Sequence, residues 1–316
     1  MNISVIIPCR NAGAYLAQAL HSVLRQSLPP AEIIVVDDGS GDGSLATAAS
    51  FAPAVTAFSH PCGCAPTARN FGYARSSGDA VMFLDADDVL RADALAALAA
   101  ALPRGGLACC PWLRMELDGG KWLGRPASCA GRKPGDDPLM AWLRGWYHPP
   151  CSVLWTREGF EATGGWDPAA RVNNDGDLMM RAMVIGVPLV TTTDGAAYYR
   201  RLPAGEVSLS STRFTPEAMR SRIRIVARIA RQLRDRNRLA AYRPALGDAL
   251  RRLAGDCAVA CPELEGDCRA LHAEFGDSGW RAWVRRGAAR SRARLGGWRR
   301  RLATAAGPTE VTIGLE

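Results

Sequence analysis

The apolar positions fall first into short dense runs and then into helical stripes. Ile3–Cys9 (ISVIIPC) is a β-branched run with little polar interruption, as expected of a strand buried on both faces. Tyr15, Leu16, Ala19, Leu20, Val23 and Leu24 then recur at helical spacing until Pro29-Pro30 breaks the pattern. Glu32–Asp37 (EIIVVD) predicts a second buried strand, and a glycine-rich turn over 38–43 opens a short helix reaching about residue 50. A third strand at 55–58, a helix at 67–76, a fourth strand at 80–84 and an Ala/Leu helix at 94–102 follow. Alternation at this spacing implies a parallel sheet with right-handed crossovers, in which ligands bind beyond the carboxyl ends of the strands. Those ends are residues 8–11, 37–40 and 85–88, and all carry polar side chains, the pattern of a nucleotide site.

From 107 to 199 the pattern is mixed, dominated by aromatic and glycine-rich pieces such as WLRGWY (142–147) and GGWD (164–167). A helix is expected from about 175 to 185, with strand-like runs at 188–192 and 196–200. Beyond 215 the chain reads as helical, with Met219, Ile223, Val226, Ala230 and Leu233 on one stripe and arginines opposite. The expected organisation is an α/β domain over 1–211 (a nucleotide-binding half, 1–105, and an acceptor-binding half, 106–211) followed by a helical, Arg-rich region, 212–316.

Charge sharpens that division. From Thr212 onward there are 22 Arg, no Lys and 11 Asp/Glu, a net +11 in a chain of +8, which leaves −3 for residues 1–211. An acidic front suits a cation and an anionic substrate, and a basic tail suits phosphate-rich surroundings. The ten cysteines show no C-x-x-C pair, so they read as reduced thiols rather than a zinc site. The N-terminus enters a strand pattern without a basic, cleavable leader, and no apolar run approaches the ~18 residues of a spanning helix. The expectation is a cytoplasmic protein.

The sharpest chemical signal is FLDADD (83–88). An apolar strand that delivers carboxylates to solvent is explained if they bind something, and hard divalent cations take carboxylate and phosphate oxygens. In an extended segment Asp85 and Asp87, two apart, point the same way. The plainer alternative is a strand-end turn with capping aspartates.

These pieces resemble a family 2 glycosyltransferase of the GT-A fold, over about residues 1–210. The resemblance rests on VIIPCRNAGAYLAQALHSVLRQS (5–27), IIVVDDGSGDGS (33–44), APTARNFGYARSSGDAVMFLDADD (65–88), GGWD (164–167) and NDGDL (174–178), in register. It implies an inverting transfer from a nucleotide-diphosphate sugar, a UDP-sugar by default, to an acceptor hydroxyl. In its terms Asp38 meets the base or ribose, with Pro8 and Arg10 shaping that pocket. Arg69 meets the diphosphate, Asp85 faces ribose or metal, and Asp87 is the main ligand of Mg²⁺ or Mn²⁺. Asp175 matches the general base, and Trp166, Asp167 and Asn174 lie on the acceptor side. Asn174 stands where the family has Glu, and the histidine often found after the Tyr199-Arg200 segment is replaced by Leu202-Pro203. The plainer alternatives make Arg69 a solvated helix residue and Asp175 or Asp177 a helix cap.

The implied partners are the nucleotide sugar and a carbohydrate or lipid-linked acceptor, in cell-surface polysaccharide or glycoconjugate synthesis. Trp280, Trp283 and Trp298 among nine arginines between 280 and 301 suit an anionic membrane face, at the inner surface, or equally a solvated helix packed on the catalytic domain, better than nucleic acid. A competing enzyme class is a haloacid-dehalogenase-like phosphohydrolase, since Asp85-x-Asp87-x-Val89 fits D-x-D-x-[TV]. That motif normally ends a first strand, however, and here it ends a fourth. A dinucleotide oxidoreductase lacks its G-x-G-x-x-G after the first strand. A non-catalytic nucleotide-sugar-binding protein is the third class, favoured only by Asn174.

Overall fold

The structure, a computed structural model, describes residues 1–126, 131–133, 135–203, 212–280 and 309–310. The chain divides into two compact units: Met1–Ala127, Tyr147–Glu206 and Pro308–Glu316 make the first, Ser128–Trp146 and Val207–Gly307 the second.

The first unit holds a seven-stranded sheet of β1 (Ile3–Cys9), β2 (Glu32–Asp37), β3 (Thr56–Ser59), β4 (Ala80–Phe83), β6 (Leu107–Cys109), β9 (Val153–Thr156) and β10 (Leu189–Thr191), ordered β10-β6-β9-β4-β1-β2-β3. β1 pairs in parallel with β2 and β4, β2 with β3, and β6 with β10; β9 runs antiparallel to its neighbours β4 and β6. Alternate residues serve two faces. Ile3, Val5 and Ile7 pack with Leu16, Leu20 and Val23 of α1 (Leu16–Leu24) and with Leu95 and Leu98 of α4 (Ala94–Ala101). Ile34 and Val36 pack with Ala68 of α3 (Ala65–Tyr73). The short α2 (Ser44–Ala49) completes the crossover from β2 to β3.

Helix α3 begins two residues ahead of the expected start because Pro66 fits a first helical turn. It lies unusually close to the sheet: a Cβ on Gly72 would sit 2.6 Å from Ile6 Cγ2 and 3.1 Å from Val36 Cγ2, so only glycine permits the approach. That approach carries Arg69 and Asn70 to the strand ends.

The mixed stretch resolves into a second sheet, ordered β12-β8-β7-β11-β5, from β5 (Val89–Leu90), β7 (Trp112–Asp118), β8 (Lys121–Pro126), β11 (Ala197–Arg201) and β12 (Thr309–Glu310). β7 and β8 form a hairpin through Gly119-Gly120, both at positive φ (58° and 81°), a turn that glycine adopts without steric cost. β7 runs parallel to β11, which pairs antiparallel with β5 immediately after the Asp85–Asp88 corner. Helix α6 (Arg157–Ala162) follows β9, and α7 (Asn174–Ile185) ends in the left-handed Gly186.

The second unit is discontinuous in sequence. α5 (Pro138–Leu143) is capped by Asp137, which accepts from Met140 N at 2.8 Å and from Tyr242 Oη of α9 (Leu239–Ala260) at 2.6 Å. The Arg252 guanidinium of α9 also donates to the Leu143 carbonyl. Residues 128–146 therefore join the helices rather than the acceptor half expected from sequence. α8 (Pro216–Asp235) is capped by Thr215 and buries Met219, Ile223, Val226, Ala230 and Leu233. It packs on α9, and α9 on α10 (Glu265–Phe275). Among the described residues the cysteines form no disulfide. The Trp280 ring lies 4.8 Å from His272, whereas Trp283, Trp298 and the basic run to Arg301 lie outside the described residues. Among the described residues no helix is long and apolar enough to cross a membrane.

Candidate active site

The register of the parallel strands brings the first two polar ends level: Cys9 is opposite Asp37, and Asp38 N donates to the Cys9 carbonyl at 2.8 Å. Pro8 is buried in β1 opposite Val36. Asp38 is buried, and its Oδ1 accepts from the backbone N–H groups of Cys62 and Gly63, both at 2.6 Å. Its Oδ2 lies 3.5 Å from Arg10, whose side chain is 58% exposed. Asp37, passed over by the sequence reading, accepts from Ser40 N at 3.0 Å through Oδ2, while its buried Oδ1 has no hydrogen-bond partner among the described residues.

Beyond β4 the chain turns at once, with Asp88 N donating to the Asp85 carbonyl at 3.0 Å. Asp85 and Asp87 are thus presented by a turn, which corrects the expectation of an extended segment with alternating side chains. Asp85 is 28% exposed and pairs with Arg69 at 2.5 Å. Burial and the neighbouring Asp85 charge push the Asp87 carboxyl up to about 7. Asp88 is fully buried, its carboxyl raised far above the usual range by burial and by Asp87, and it accepts from Arg200 N at 2.8 Å. It ties the corner to β11.

Arg200 holds the corner from the other side. Its Nε donates to the Asp87 carbonyl at 2.6 Å and its guanidinium to Gln18 Oε1 at 2.6 Å. The group lies over the rings of Tyr15 (4.7 Å) and Trp122 (4.3 Å), so two aromatics fix a cation beside the acidic turn. Only the general basic character of this segment was visible in sequence.

Arg69 is buried rather than solvated. One guanidinium nitrogen bonds Asp85 and the other donates to Asn174 Oδ1 at 3.0 Å; its plane lies 4.3 Å over the Trp166 ring. Its buried Nε has no partner among the described residues. The amide of Asn174 thus gives Arg69 an uncharged acceptor, and Nδ2 donates back to the Arg171 carbonyl at 3.4 Å. Trp166 is buried, edge-on to Phe83, with its backbone held by Asn70 at 2.8 and 3.0 Å. The indole supports Arg69. Asp167 caps Ala169 N at 2.8 Å.

Asp175 sits in the first turn of α7, where the helix dipole favours an acid. Its Oδ2 accepts from the Tyr147 phenol, and burial raises its carboxyl above the ordinary value while the phenol opposes the rise. A cavity of about 10 Å³, room for roughly one water, opens beside it against Phe83, His148, Trp155 and Trp166. Asp177 is wholly buried and pairs with Arg181 at 2.9 Å; Arg181 in turn donates to the carbonyls of Thr163 and, at 2.7 Å, Gly165. The aspartate therefore braces the GGWD turn.

Among the described residues no three or more His, Cys, Asp or Glu gather as a metal cage. Asp85 and Asp87 still supply hard oxygen donors with excess negative charge, the set a Mg²⁺ or Mn²⁺ ion takes when substrate phosphates complete its shell.

Comparison with known proteins agrees with this architecture. The sequence profile of Glycosyl transferase family 2 matches residues 4–155. An uncharacterized glycosyltransferase of Nostoc sp. is 31% identical over 209 residues, covering 63% of this chain and 65% of its own length. An uncharacterized glycosyltransferase of Haemophilus influenzae is 39% identical over 97 residues, 29% of this chain and 39% of its own. The match thus spans less than two thirds of either relative. Among solved structures, a fragment of S. aureus TarS (1–349) in complex with UDP-GlcNAc superposes with a TM-score of 0.60 at 17% identity, covering 89% of this chain and 92% of that one. The mannosyltransferase PcManGT of Pyrobaculum calidifontis, in complex with GDP-Man and Mn²⁺, gives 0.53 at 20% identity over 92% and 80%. Those two likenesses concern the fold. Residues 4–155, which carry the strand-end aspartates, thus match glycosyl transferase family 2, and the similarity to glycosyltransferases extends over 209 residues of the chain.

Proposed function

We propose that this chain transfers a sugar from a nucleoside-diphosphate donor to an acceptor hydroxyl, with inversion at the anomeric carbon. The observation that carries the proposal is the bridge through Arg69, which joins Asp85 at the strand ends to Asn174, the neighbour of Asp175. It couples a donor-binding edge to a base. Phosphohydrolysis through Asp85 has no support in the family match or in the position of the motif, and Asn174 is accounted for as a partner of Arg69.

In this reading the nucleotide lies over the ends of β1 and β2, where Asp38 Oδ2 and Arg10 meet its base. Asp37 Oδ1 and Arg69 Nε, both buried and without a hydrogen-bond partner among the described residues, are groups that a polar ligand satisfies. Asp87 and Asp85 would hold Mg²⁺ or Mn²⁺, which when bound neutralises charge on the leaving diphosphate. Asp175 takes the acceptor proton as the acceptor oxygen forms its bond to the anomeric carbon. The bond from that carbon to the diphosphate oxygen breaks, and its electron pair leaves with the nucleoside diphosphate. The UDP-GlcNAc bound by TarS and the GDP-Man bound by PcManGT support a nucleotide-sugar donor without choosing the base. A carbohydrate or lipid-linked acceptor in surface glycan synthesis, met where the basic tail touches an anionic membrane on its cytoplasmic side, completes the proposal.

A thermal-shift series tests it. UDP, GDP and their sugars, each with and without Mn²⁺, should include one nucleotide that raises Tm in a metal-assisted way. Asp87→Ala should stay folded and lose the Mn²⁺-dependent part, while Asp93→Ala, at a half-exposed ion pair beyond β5, should keep it. No stabilisation by any nucleotide would overturn the donor reading, and equal affinity in chelator would overturn the metal role.

A further inference from the structure

Tyr147 ends the aromatic WLRGWY run and lies outside the blocks that carry the family resemblance, yet its phenol donates to the carboxylate of Asp175. Its position is over-determined. Its backbone carbonyl accepts from Trp112 Nε1 at 2.9 Å, and the two rings meet edge-on at 5.6 Å. Trp112 is anchored in β7, opposite Ala197 of β11, and its ring also meets Tyr199 edge-on at 6.0 Å. On the other side, Pro149, Pro150 and the 3₁₀ turn Pro150–Ser152 stiffen the chain, with Ser152 N donating to the Pro149 carbonyl and Ser152 Oγ 3.1 Å from His148 Nδ1. A phenol held from two strands and a proline turn fixes the carboxylate that it touches.

We propose that Tyr147 is the positioning residue for the base: its phenol holds Asp175 Oδ2, so that Oδ1 meets the acceptor hydroxyl. The inference rests on the assignment of Asp175 as base. A hydrogen bond donated to a carboxylate stabilises the ionised form, so the phenol also keeps Asp175 available as a base against the effect of burial. Burial raises the phenol's own titration further above its ordinary range, with Asp175, Tyr199 and Cys151 adding to the rise, so it remains a donor throughout. The other charged or titratable groups around Asp175 are Arg69, Asp85 across the bridge, and His148 in the shared cavity.

The sign of the effect follows. Without the phenol the carboxylate is less stabilised, its pKa rises, and the base is lost by protonation at a higher pH. In Tyr147→Phe the acid limb of the kcat/KM profile should move up by about one pH unit, the worth of one such hydrogen bond. Turnover on the plateau should fall about tenfold or more because the carboxylate is free to rotate, and nucleotide affinity should be unchanged. A limb set by His148 would not move with the phenol. If Tyr147→Phe does not fold, 3-fluorotyrosine at position 147 keeps the contact with a more acidic, stronger donor and should move the limb down. An unmoved limb in either protein, with plateau turnover intact, overturns the proposal. Asp175→Asn is measured alongside: if it turns over like wild type, the base assignment fails first, whereas an inert Asp175→Asn with an unaltered tyrosine variant removes only the role of Tyr147.

Discussion

Asp38 and Asp175 are both acids of the proposed site, but the chain secures them in opposite ways. Asp38 is held by backbone: two amides of the loop after β3 converge on one oxygen, and the exposed Arg10 only approaches the other. Asp175 is held by a side chain 28 residues away, and its neighbour Asn174 by one 105 residues away. The end of the site at β1 and β2 is thus built from short loops whose amides point where the parallel sheet puts them. The α7 half is built from long-range side-chain contacts that each depend on one residue. Substitutions should therefore be felt as loss of chemistry or of folding around α7, and more mildly at the strand ends.

The largest effect is expected at the base. Asp175→Asn keeps the shape and can still accept from Tyr147, but it cannot take a proton. Turnover should fall by about 10²–10⁴-fold with donor affinity nearly intact. Steady-state kinetics beside nucleotide calorimetry separates the two, and NMR coupling constants of the product should show an anomeric configuration opposite to the donor's. Retained configuration, or a variant as fast as wild type, would end the mechanism and with it the contrast drawn here.

Next comes the brace behind it. In Asp177→Ala the partly desolvated Arg181 guanidinium keeps two carbonyl acceptors and loses its carboxylate partner. Breaking a buried pair from one side costs about 3–5 kcal/mol, and the surviving carbonyls place this case near the lower end. Chemical denaturation measures it. Asp93→Ala, which removes an ion pair with both partners about half exposed, should cost under about 1 kcal/mol. Equal losses in the two would mean that Asp177 does not brace the GGWD turn.

The same contrast explains what could be read from the sequence. β1 and β2 were legible as dense apolar runs buried on both faces, α1 and α8 because each buries one face at the helical period, and the strand ends followed from the parallel sheet. Asp177 was legible as an acid at a helix start but not as a buried partner of Arg181, since i,i+4 spacing does not reveal which face is covered. The β7–β8 hairpin did leave a signal in Gly119-Gly120 that the aromatic clutter around it obscured. Tyr147, Trp112 and the position of Arg200 left none, because their partners lie on other strands and only the folded chain brings them together. Asp85 and Asp87 follow the fourth strand as expected but on a different backbone: the apolar run suggested a strand continuing through 85–87, whereas the carbonyl of Asp85 closes a turn.

The smallest effect is expected at Asp38, and it tests the strand-end side of the comparison directly. An asparagine there keeps the oxygen that accepts from Cys62 and Gly63 and replaces Oδ2 by an N–H₂ group. The two loop bonds lose their charge assistance, and the Arg10 pair, more than half exposed on the arginine side, contributes little. Stability should drop by about 1 kcal/mol, read as a small shift in Tm. The nucleotide should notice more than the fold does. With Oδ1 occupied by the loop, Oδ2 is the atom left to accept from a base N–H or a ribose hydroxyl, and an amide nitrogen facing the same donor cannot do so. One such hydrogen bond is worth about 1–1.5 kcal/mol, so calorimetry should find nucleotide affinity weakened about tenfold in Asp38→Asn. Unchanged affinity with the same small loss of stability would reduce Asp38 to a loop anchor and move base recognition to Arg10 and the backbone.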